Sequence, residues 1–380
     1  MNILIVPDSF KDSLPAVDVT YALQNGIKSV RGDVNVILFP MADGGEGSTE
    51  ILKYHIGGLW HWLEVDDPLQ RKMNTNYLLL KDRNSAVIEL AKASGLELLK
   101  PHERNPLQTT TLGTGQLIRD ALDRKTDEII LTIGGSATVD GGTGIAAALG
   151  FRFYNKSGKA FLPTGGTLSE VHRIDADYIH NACTSVRWTI ACDVRNILNG
   201  PEGAARIYGP QKGADPEAVE KLADGLEHIS MLIKNETGFS ADKHHGTGAA
   251  GGAALFLMAY GKTKLQSGFD ILAGLTHLQS VIDSADIVIS GEGRIDEQTK
   301  YGKVVSSIAR HTTKSGKPLI VVCGIVEGNV YTIKNSLGII ELFSISSRAA
   351  DKADSMGNAK KYLEEIGSEI TRKYIPRDYS

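Results

Sequence analysis

The chain has 380 residues, enough for two domains of ordinary size, and 42% of them are hydrophobic, as in folded globular proteins. Its formal net charge of −4 provides no overall basic field, which argues against nucleic acid or an acidic membrane surface as a partner. No apolar stretch approaches the roughly 18 residues of a membrane span, and the N-terminus is too short and uncharged for a signal peptide, so we expect a cytoplasmic protein.

The first 63 residues contain two strand–helix units. Residues 2–6 predict a buried strand, followed by a helix that Ser13 caps. Residues 34–39 predict a second strand, which leads through a glycine-rich acidic loop into a helix from about Ser48. Alternation of strands and helices predicts a parallel sheet covered on both faces.

The same pattern returns near the end of the chain. The predicted elements are a strand at 287–289, a helix at 301–314, strands at 319–323 and 339–343, and an amphipathic helix at 357–373. Cys323 ends an apolar run, which predicts a buried core thiol. The scarcity of cysteine, three residues without metal-ligand spacing, suits a reducing compartment.

The middle of the chain mixes both kinds of element. Strands are predicted at 77–80, 86–90, 129–133 and 188–192, and helices at 107–125, 143–149, 216–236, 249–260 and 269–283. The opening and closing segments are each too small for a domain, which favours a parallel-sheet, Rossmann-like α/β domain of residues 1–63 and 284–380. Residues 64–283 would then form an inserted mixed α/β domain. The alternative is two sequential domains divided near residue 150.

Six polar, glycine-bearing segments carry the candidate chemistry, and five of them follow predicted strands. They are residues 7–11, 43–47, 134–142, 192–196, 208–214 and 291–296. Ligands of open parallel sheets bind at the carboxyl ends of strands, where glycine loops can hold phosphates. The first two segments are also compatible with a capping turn and an acidic turn. Segment 134–142 has neither the P-loop ending nor the GxGxxG spacing.

Together the segments provide carboxylates for a divalent cation, cations for negative groups and glycine loops for phosphates. Phosphoryl transfer needs these parts, because its catalysis is mostly positioning and charge stabilisation. Covalent chemistry is less well supported, since the chain has no GxSxG elbow, and the zinc-type HExxH motif is also absent.

In order and spacing, the six segments resemble those of the bacterial glycerate kinase family of the first type. The resemblance covers nearly the whole chain and extends from segment 291–296 to Lys303. It implies two α/β domains with the site between them, ATP as phosphoryl donor, a Mg²⁺ requirement and D-glycerate as acceptor. It leaves both 2-phosphoglycerate and 3-phosphoglycerate open as products, with the first favoured, and the oligomeric state unknown.

The resemblance carries membership of the family's motifs, without roles, onto Asp8, Lys11, Asp43, Glu46, Asp193, Lys212, Glu292, Arg294 and Asp296. The six segments together supply the following candidates for each role. The catalytic candidates are Asp193, Asp8 and Lys11. The candidates for binding substrate or nucleotide are Ser9, Gly44, Gly45, Gly134, Gly135, Ser136, Asp140, Arg195, Asn196, Lys212, Gly291, Gly293, Arg294 and Lys303. The candidate metal ligands are Asp43, Glu46, Glu292 and Asp296. We favour Asp193 over Asp8 as the general base, because Arg195, Asn196 and Lys212 lie near it in sequence and could orient a carboxylate.

The chain departs from the family pattern at four positions. Asp12 and Glu297 stand where the family usually has glycine, Val139 where it has asparagine, and Val304 where proline is common. Val139 removes a side-chain donor and acceptor, so loop 134–142 is expected to contact its ligand through backbone alone. Two other functions are alternatives to the kinase. A non-catalytic sensor of sugar acids should lack the acidic residues, and a nicotinamide-dependent dehydrogenase needs a GxGxxG turn after the first strand.

Overall fold

The structure is a computed structural model that describes residues 1–296 and 304–375. Its strands are β1 Asn2–Pro7, β2 Asn35–Leu38, β3 Leu59–Asp66, β4 Lys72–Leu80, β5 Ser85–Glu89, β6 Glu128–Thr132, β7 Arg152–Tyr154, β8 Ala160–Phe161, β9 Arg173–Asp175, β10 Arg187–Ala191, β11 Lys262–Gln266, β12 Ile287–Ile295, β13 Leu319–Val326 and β14 Glu341–Ser344. Its helices are α1 Ala16–Val30, α2 Ser48–Ile56, α3 Ala91–Ser94, α4 Leu112–Asp123, α5 Thr143–Ala148, α6 Ala204–Tyr208, α7 Pro216–Thr237, α8 Leu255–Tyr260, α9 Gly268–Leu275, α10 Leu278–Ser284, α11 Val304–Lys314, α12 Val330–Leu337, α13 Lys352–Gly357 and α14 Ala359–Tyr374. None of the described helices combines the length and apolar composition that a membrane span requires.

Contacts between Cα atoms divide this mixed α/β chain into two compact units, Met1–Asp43 with Phe269–Ser380, and Gly44–Gly268. These bounds differ from the predicted boundaries after residues 63 and 283. Residues 44–63 belong with the second unit because β3 pairs along its whole length with β4, from Leu59↔Leu79 to Asp66↔Lys72. Residues 269–283 belong with the first unit, where α10 packs against α11.

The first unit is built on a parallel sheet with the strand order β14-β13-β12-β1-β2. Strand β1 lies between β2 and β12, so the predicted strands 2–6 and 319–323 share one sheet, as an insertion requires. Helix α1 packs with α14, and its buried face carries Val19, Leu23 and Ile27 at the predicted three- and four-residue spacing. Cys323 is fully buried in β13, as predicted.

Strand β12 is longer than the sequence indicated. The prediction ended it at residue 289 and placed a glycine loop after it, but β12 continues to Ile295 and pairs with β13 up to Ile295↔Val326. Gly291 and Gly293 therefore lie within a strand. A Cβ at Gly291 would lie 2.3 Å from the carbonyl oxygen of Val322, so close strand packing already requires glycine there.

The second unit contains a larger mixed sheet with the order β11-β10-β6-β5-β4-β3. Strands β11, β10, β6 and β5 run parallel, and β4 and β3 continue the sheet antiparallel. A small antiparallel sheet has the order β8-β7-β9. Helix α7 matches its prediction: Asp215 caps it by accepting a hydrogen bond of 2.8 Å from the Ala218 N–H.

Two predicted helices are interrupted in the structure. The segment 269–283 forms α9 and α10, because His277 between them has a φ of +55°. The segment 249–260 begins as a short 3₁₀ turn in which Ala250 has a φ of +51°, and only α8 is regular helix. Left-handed conformations of this kind end a helix and are hard to read from residues other than glycine.

Asp12, which stands where the family pattern usually has glycine, adopts a left-handed backbone conformation that suits glycine better. Residues 10–14 form a tight turn in which Phe10 N–H donates to the Leu14 carbonyl and Leu14 N–H to the Phe10 carbonyl, and Asp12 has a φ of +62°. The prediction that Ser13 caps α1 is wrong: its hydroxyl donates to the Met356 carbonyl, and α1 begins after Pro15.

We expect Asp12→Gly to raise the free energy of unfolding by about 0.5–1 kcal/mol, because a left-handed conformation costs an L-residue about 1–2 kcal/mol and glycine loses part of that gain as chain entropy. Asp12→Val should lower it, since a β-branched side chain tolerates positive φ worst. Thermal unfolding followed by circular dichroism ranks the three proteins. A glycine variant less stable than the original would mean that the Asp12 side chain makes compensating contacts.

Candidate functional site

In the second unit, the carboxyl ends of the parallel strands gather several of the predicted residues. Glu89 ends β5, Gly134 follows β6, Asp193 follows β10 and Gly268 follows β11. These four strands are neighbours in the sheet, so the residues that leave them share one edge. Ligands of open parallel sheets bind at this edge.

The loop that contains Gly44 and Gly45 packs directly on this edge. A Cβ at Gly134 would lie 3.0 Å from Gly45 Cα, and a Cβ at Gly44 would lie 2.3 Å from Gly268 Cα. Gly44 also has a φ of +94°, which a larger residue rarely adopts. The Gly268 N–H is in turn 3.2 and 3.3 Å from the two Asp193 carboxylate oxygens. Three of the six predicted segments therefore meet here.

Glu89, which is not among the predicted site residues, anchors that loop. Its side chain is 1% exposed and accepts hydrogen bonds from Thr49 N–H at 2.5 Å, Thr49 Oγ1 at 2.8 Å and Gly47 N–H at 3.2 Å. It thus satisfies the first amide groups of α2. Burial, and then the neighbouring Glu50, raise the pKa of Glu89. The sequence does contain a signal for this role: Glu89 ends an apolar strand, and a buried carboxylate there needs hydrogen-bond partners.

Lys212 lies inside the second unit. It is 2% exposed, and its ammonium donates to Ser136 Oγ and to the Thr138 carbonyl, both at 2.7 Å. The position of Lys212 between two glycines predicts an ammonium that reaches an anion. In the structure it holds two residues of the 134–142 loop, and its contact with a ligand stays a prediction.

Asp140 secures the other end of the same loop. The carboxylate is fully buried and accepts five hydrogen bonds of 2.8–3.4 Å. The donors are Thr110 Oγ1, Thr111 N–H, Thr111 Oγ1, Gly142 N–H and Gly144 N–H. Asp140 therefore ties the loop to the first turns of α4 and α5. Val139 is also fully buried, so it presents no side chain to a ligand.

The buried ammonium of Lys212 predicts a pH-dependent stability. Burial lowers the pKa of Lys212 to about 7 from an ordinary value of 10.5, and the Asp140 carboxylate partly opposes this. Between these two pH values the unfolded chain binds more protons at this lysine than the folded protein. The contribution of Lys212 to the free energy of unfolding therefore rises with pH, by up to about 1.4 kcal/mol per pH unit.

We expect the stability difference between the original protein and Lys212→Met to change in favour of the original from pH 7 to pH 9. Urea unfolding followed by tryptophan fluorescence measures it, because Trp60, Trp62 and Trp188 all lie in the second unit. A difference that stays constant over this range would show that Lys212 remains charged in the folded protein.

The predicted residues of segment 192–196 differ in exposure. Asp193 and Arg195 are exposed. Asn196 instead makes internal hydrogen bonds, because its amide donates to the Glu202 carbonyl at 3.0 Å and accepts from the Tyr208 hydroxyl at 2.8 Å. Among these predicted residues, Asn196 holds the loop in place, and Asp193 and Arg195 present their side chains to solvent.

In the first unit, the predicted residues lie just after β1 and from the middle of β12 to just past its end. The Asp8 N–H donates to the Gly291 carbonyl at 2.8 Å, and the Asp8 carboxylate accepts from Ser9 N–H at 2.6 Å. A Cβ at Gly293 would lie 3.3 Å from the backbone nitrogen of Lys11, so these two segments are in contact. The Lys11 side chain is exposed.

Arg294 and the predicted metal ligands Glu292 and Asp296 belong to the first unit. Arg294 forms an ion pair with Glu327, and its Nε is 3.7 Å from an Asp296 oxygen. Glu292 is 4% exposed. Asp43 also belongs to the first unit, whereas Glu46 belongs to the second. Lys303 lies outside the described residues.

Residues 1–296 and 304–375 contain no cluster of three or more aspartate, glutamate, histidine or cysteine side chains that could hold a metal ion. The predicted ligands Asp43, Glu46, Glu292 and Asp296 are carboxylates, and these suit Mg²⁺ chemically. This ion commonly binds one or two carboxylates and completes its coordination with waters and substrate phosphates. A magnesium that arrives with a nucleotide needs no preformed cage of protein ligands.

The chain is similar to known proteins along nearly its whole length. The model of the glycerate kinase family matches residues 3–375. A protein named glycerate kinase from Halalkalibacterium halodurans is 40% identical over 97% of both chains, and the glycerate 2-kinase of Escherichia coli is 38% identical over 91% of this chain and 90% of its own. A crystal structure described as a glycerate kinase 2 candidate from Salmonella typhimurium LT2 superposes with a TM-score of 0.84 at 37% identity, over 98% of this chain and 97% of the other. The chain belongs to the glycerate kinase family.

Proposed function

We propose that this protein is an ATP-dependent glycerate kinase that produces 2-phosphoglycerate and ADP from D-glycerate and ATP. Family membership across residues 3–375 supports the activity, and the relative from Escherichia coli that is named glycerate 2-kinase supports transfer to the 2-hydroxyl. We place the reaction in the cytoplasm, in line with the absence of a membrane-spanning helix from the described residues.

The observation that carries the proposal is the meeting of glycine loops at the carboxyl edge of the second sheet. A Cβ at Gly44 would lie 2.3 Å from Gly268 Cα and a Cβ at Gly134 would lie 3.0 Å from Gly45 Cα, so these backbones pack closely, and Asp193 accepts from the Gly268 N–H. Backbone N–H groups without side chains in front of them can approach phosphate or carboxylate oxygens directly. The rigid supports of these loops, Glu89 and Lys212, keep them in place before a ligand binds.

The reaction itself needs few protein groups. A glycerate hydroxyl oxygen forms a bond to the γ-phosphorus as the bond to the β–γ bridging oxygen breaks, ADP leaves, and the hydroxyl proton moves to a base. We assign the base to Asp193, which is exposed at the end of β10, with Asp8 at the end of β1 as the alternative. Lys11 and Arg294 would neutralise phosphate charge.

Mg²⁺ is part of this proposal as the ion that accompanies ATP. When bound, it neutralises charge on the β- and γ-phosphates. We propose its protein ligands from the carboxylates predicted in the sequence, Asp43, Glu46, Glu292 and Asp296. Arg294 already pairs with Asp296 and Glu327, so it holds two carboxylates in position in the same region.

The alternative of a non-catalytic sugar-acid sensor has no structural observation in its favour. A sensor would be expected to lose the acidic residues of the motifs, and all of them are present. ATP consumption that depends on glycerate separates the two functions.

The test combines purified protein, ATP, D-glycerate and MgCl₂, with the products identified by phosphorus NMR. We expect ADP and 2-phosphoglycerate, no ADP when D-glycerate is omitted, and no turnover in excess chelator. Binding of glycerate without ADP formation would favour the sensor, 3-phosphoglycerate would overturn the assignment of the hydroxyl, and full turnover in chelator would overturn the role of magnesium.

A further inference from the structure

The first unit contains a cavity of about 620 Å³, which is lined both by residues of the predicted motifs and by residues outside them. It opens where β1, β12, β13 and β14 end, and it is lined by the last residues of β12 and β13 and by the segments that follow β1, β13 and β14. Its walls include Lys11, Gly293, Arg294, Ile325, Ile345 and Met356. All of them belong to the first unit.

Topology singles out this edge of the sheet as a ligand site. Counted along the chain within the first unit, the strands lie in the order 2-1-3-4-5 from β2 to β14. The chain reverses its direction of winding between β1 and β12, and ligands of such sheets bind in the crevice outside the carboxyl ends at this switch point. Lys11 follows β1 and Arg294 lies near the end of β12, so both walls of the crevice carry a cation.

The two halves of the cavity differ in chemistry. At the switch point, the Lys11 ammonium has no hydrogen-bond or ion-pair partner within the described residues. Farther along, towards β13 and β14, Ile325 is 42% exposed and Met356 is 37% exposed, and both line the cavity together with Ile345. Large apolar side chains left in contact with water next to a cavity are typical of a ligand-binding surface.

We propose that this cavity binds the adenine nucleotide, with the phosphates at Lys11 and Arg294 and the base against Ile325 and Met356. The ligand's identity as ATP rests on the proposed function. The volume lies within the range of about 300–1,000 Å³ that takes a drug-sized ligand, whereas glycerate alone would leave most of it unfilled. The carboxylates on the walls, Asp12, Glu327 and Asp351, are acceptors for the ribose hydroxyls.

Arg294 has to change partners in this complex. It pairs with Glu327 in the structure, and a phosphate would compete with that carboxylate for the guanidinium. A guanidinium has five N–H donors, so it can hold a phosphate and keep one contact with Glu327.

The test introduces one carboxylate into the apolar half of the cavity. Ile325→Glu places a negative charge where the base is expected, and Ile340→Glu makes the same substitution at a residue of equal 42% exposure in the same unit that does not line the cavity. Titration calorimetry with ATP and MgCl₂, without glycerate, gives the affinity of each protein. We expect Ile325→Glu to weaken binding at least about tenfold and Ile340→Glu to change it by less than about twofold.

A second variant tests the phosphate half. Lys11→Met should lower the affinity for ATP more than the affinity for adenosine, because only ATP carries phosphates. If the affinity for ATP is unchanged in both Ile325→Glu and Lys11→Met, the proposed nucleotide site is wrong. It is also wrong if Ile340→Glu lowers the affinity as much as Ile325→Glu does. Failure of the proposed function is a separate result: a protein that makes no phosphoglycerate but binds ATP in this cavity keeps the site and loses the kinase assignment. A protein that does not bind ATP overturns the inference.

Discussion

Asp193→Asn is expected to lower the turnover number for glycerate phosphorylation by roughly 10²–10⁴-fold. The amide keeps the size and shape of the carboxylate but cannot accept the proton of the attacking hydroxyl. The Gly268 N–H contact is retained through the remaining oxygen, so the fold should be unaffected. Steady-state kinetics with D-glycerate and MgATP measure the loss.

Asp8→Asn is the matched control, because Asp8 also follows directly after a parallel strand. Titration of both variants with ATP shows whether nucleotide binding is preserved, and urea unfolding shows whether stability is. If Asp193→Asn turns over near the original rate while Asp8→Asn is inactive, the base is Asp8.

Asp140→Ala is expected to destabilise the second unit by about 4 kcal/mol or more. The substitution leaves the buried N–H groups of Thr111, Gly142 and Gly144 without their acceptor. Each unsatisfied buried group costs about 1–3 kcal/mol. The charge of Lys212 would also lose the carboxylate that favours it. Urea unfolding followed by tryptophan fluorescence reports on this unit, and Trp188 is 1% exposed.

Asp140→Asn separates this structural role from a role in chemistry. One oxygen remains as acceptor, so the loss of stability should be smaller than for alanine. If Asp140→Asn folds with nearly original stability and is inactive, the carboxylate acts on a ligand or on Lys212 rather than only on the backbone. An alanine variant as stable as the original would contradict the assigned role.

Local patterns in the sequence determined much of the secondary structure. The buried strands β1, β6 and β13 come from short apolar runs, and α7 from a capped apolar stripe with Asp215 at its start. These features depend on neighbours in the chain, so periodicity and capping chemistry reveal them. Six motifs in register also identified the family, because each carries glycines and charges that its loop requires.

Tertiary structure alone decided how those charges are used. Lys212 has the sequence surroundings of an exposed anion-binding lysine, but it is buried because its partners Ser136 and Thr138 lie more than 70 residues earlier. Glu89 caps a helix 40 residues before it. Strand β12 extends through its glycines because β13 pairs with it. The cavity beside Ile325 exists only where the ends of four strands and the segment after β14 come together. Contacts between residues far apart in the chain leave no local pattern, so burial, partners and cavities become visible only when the fold brings them together.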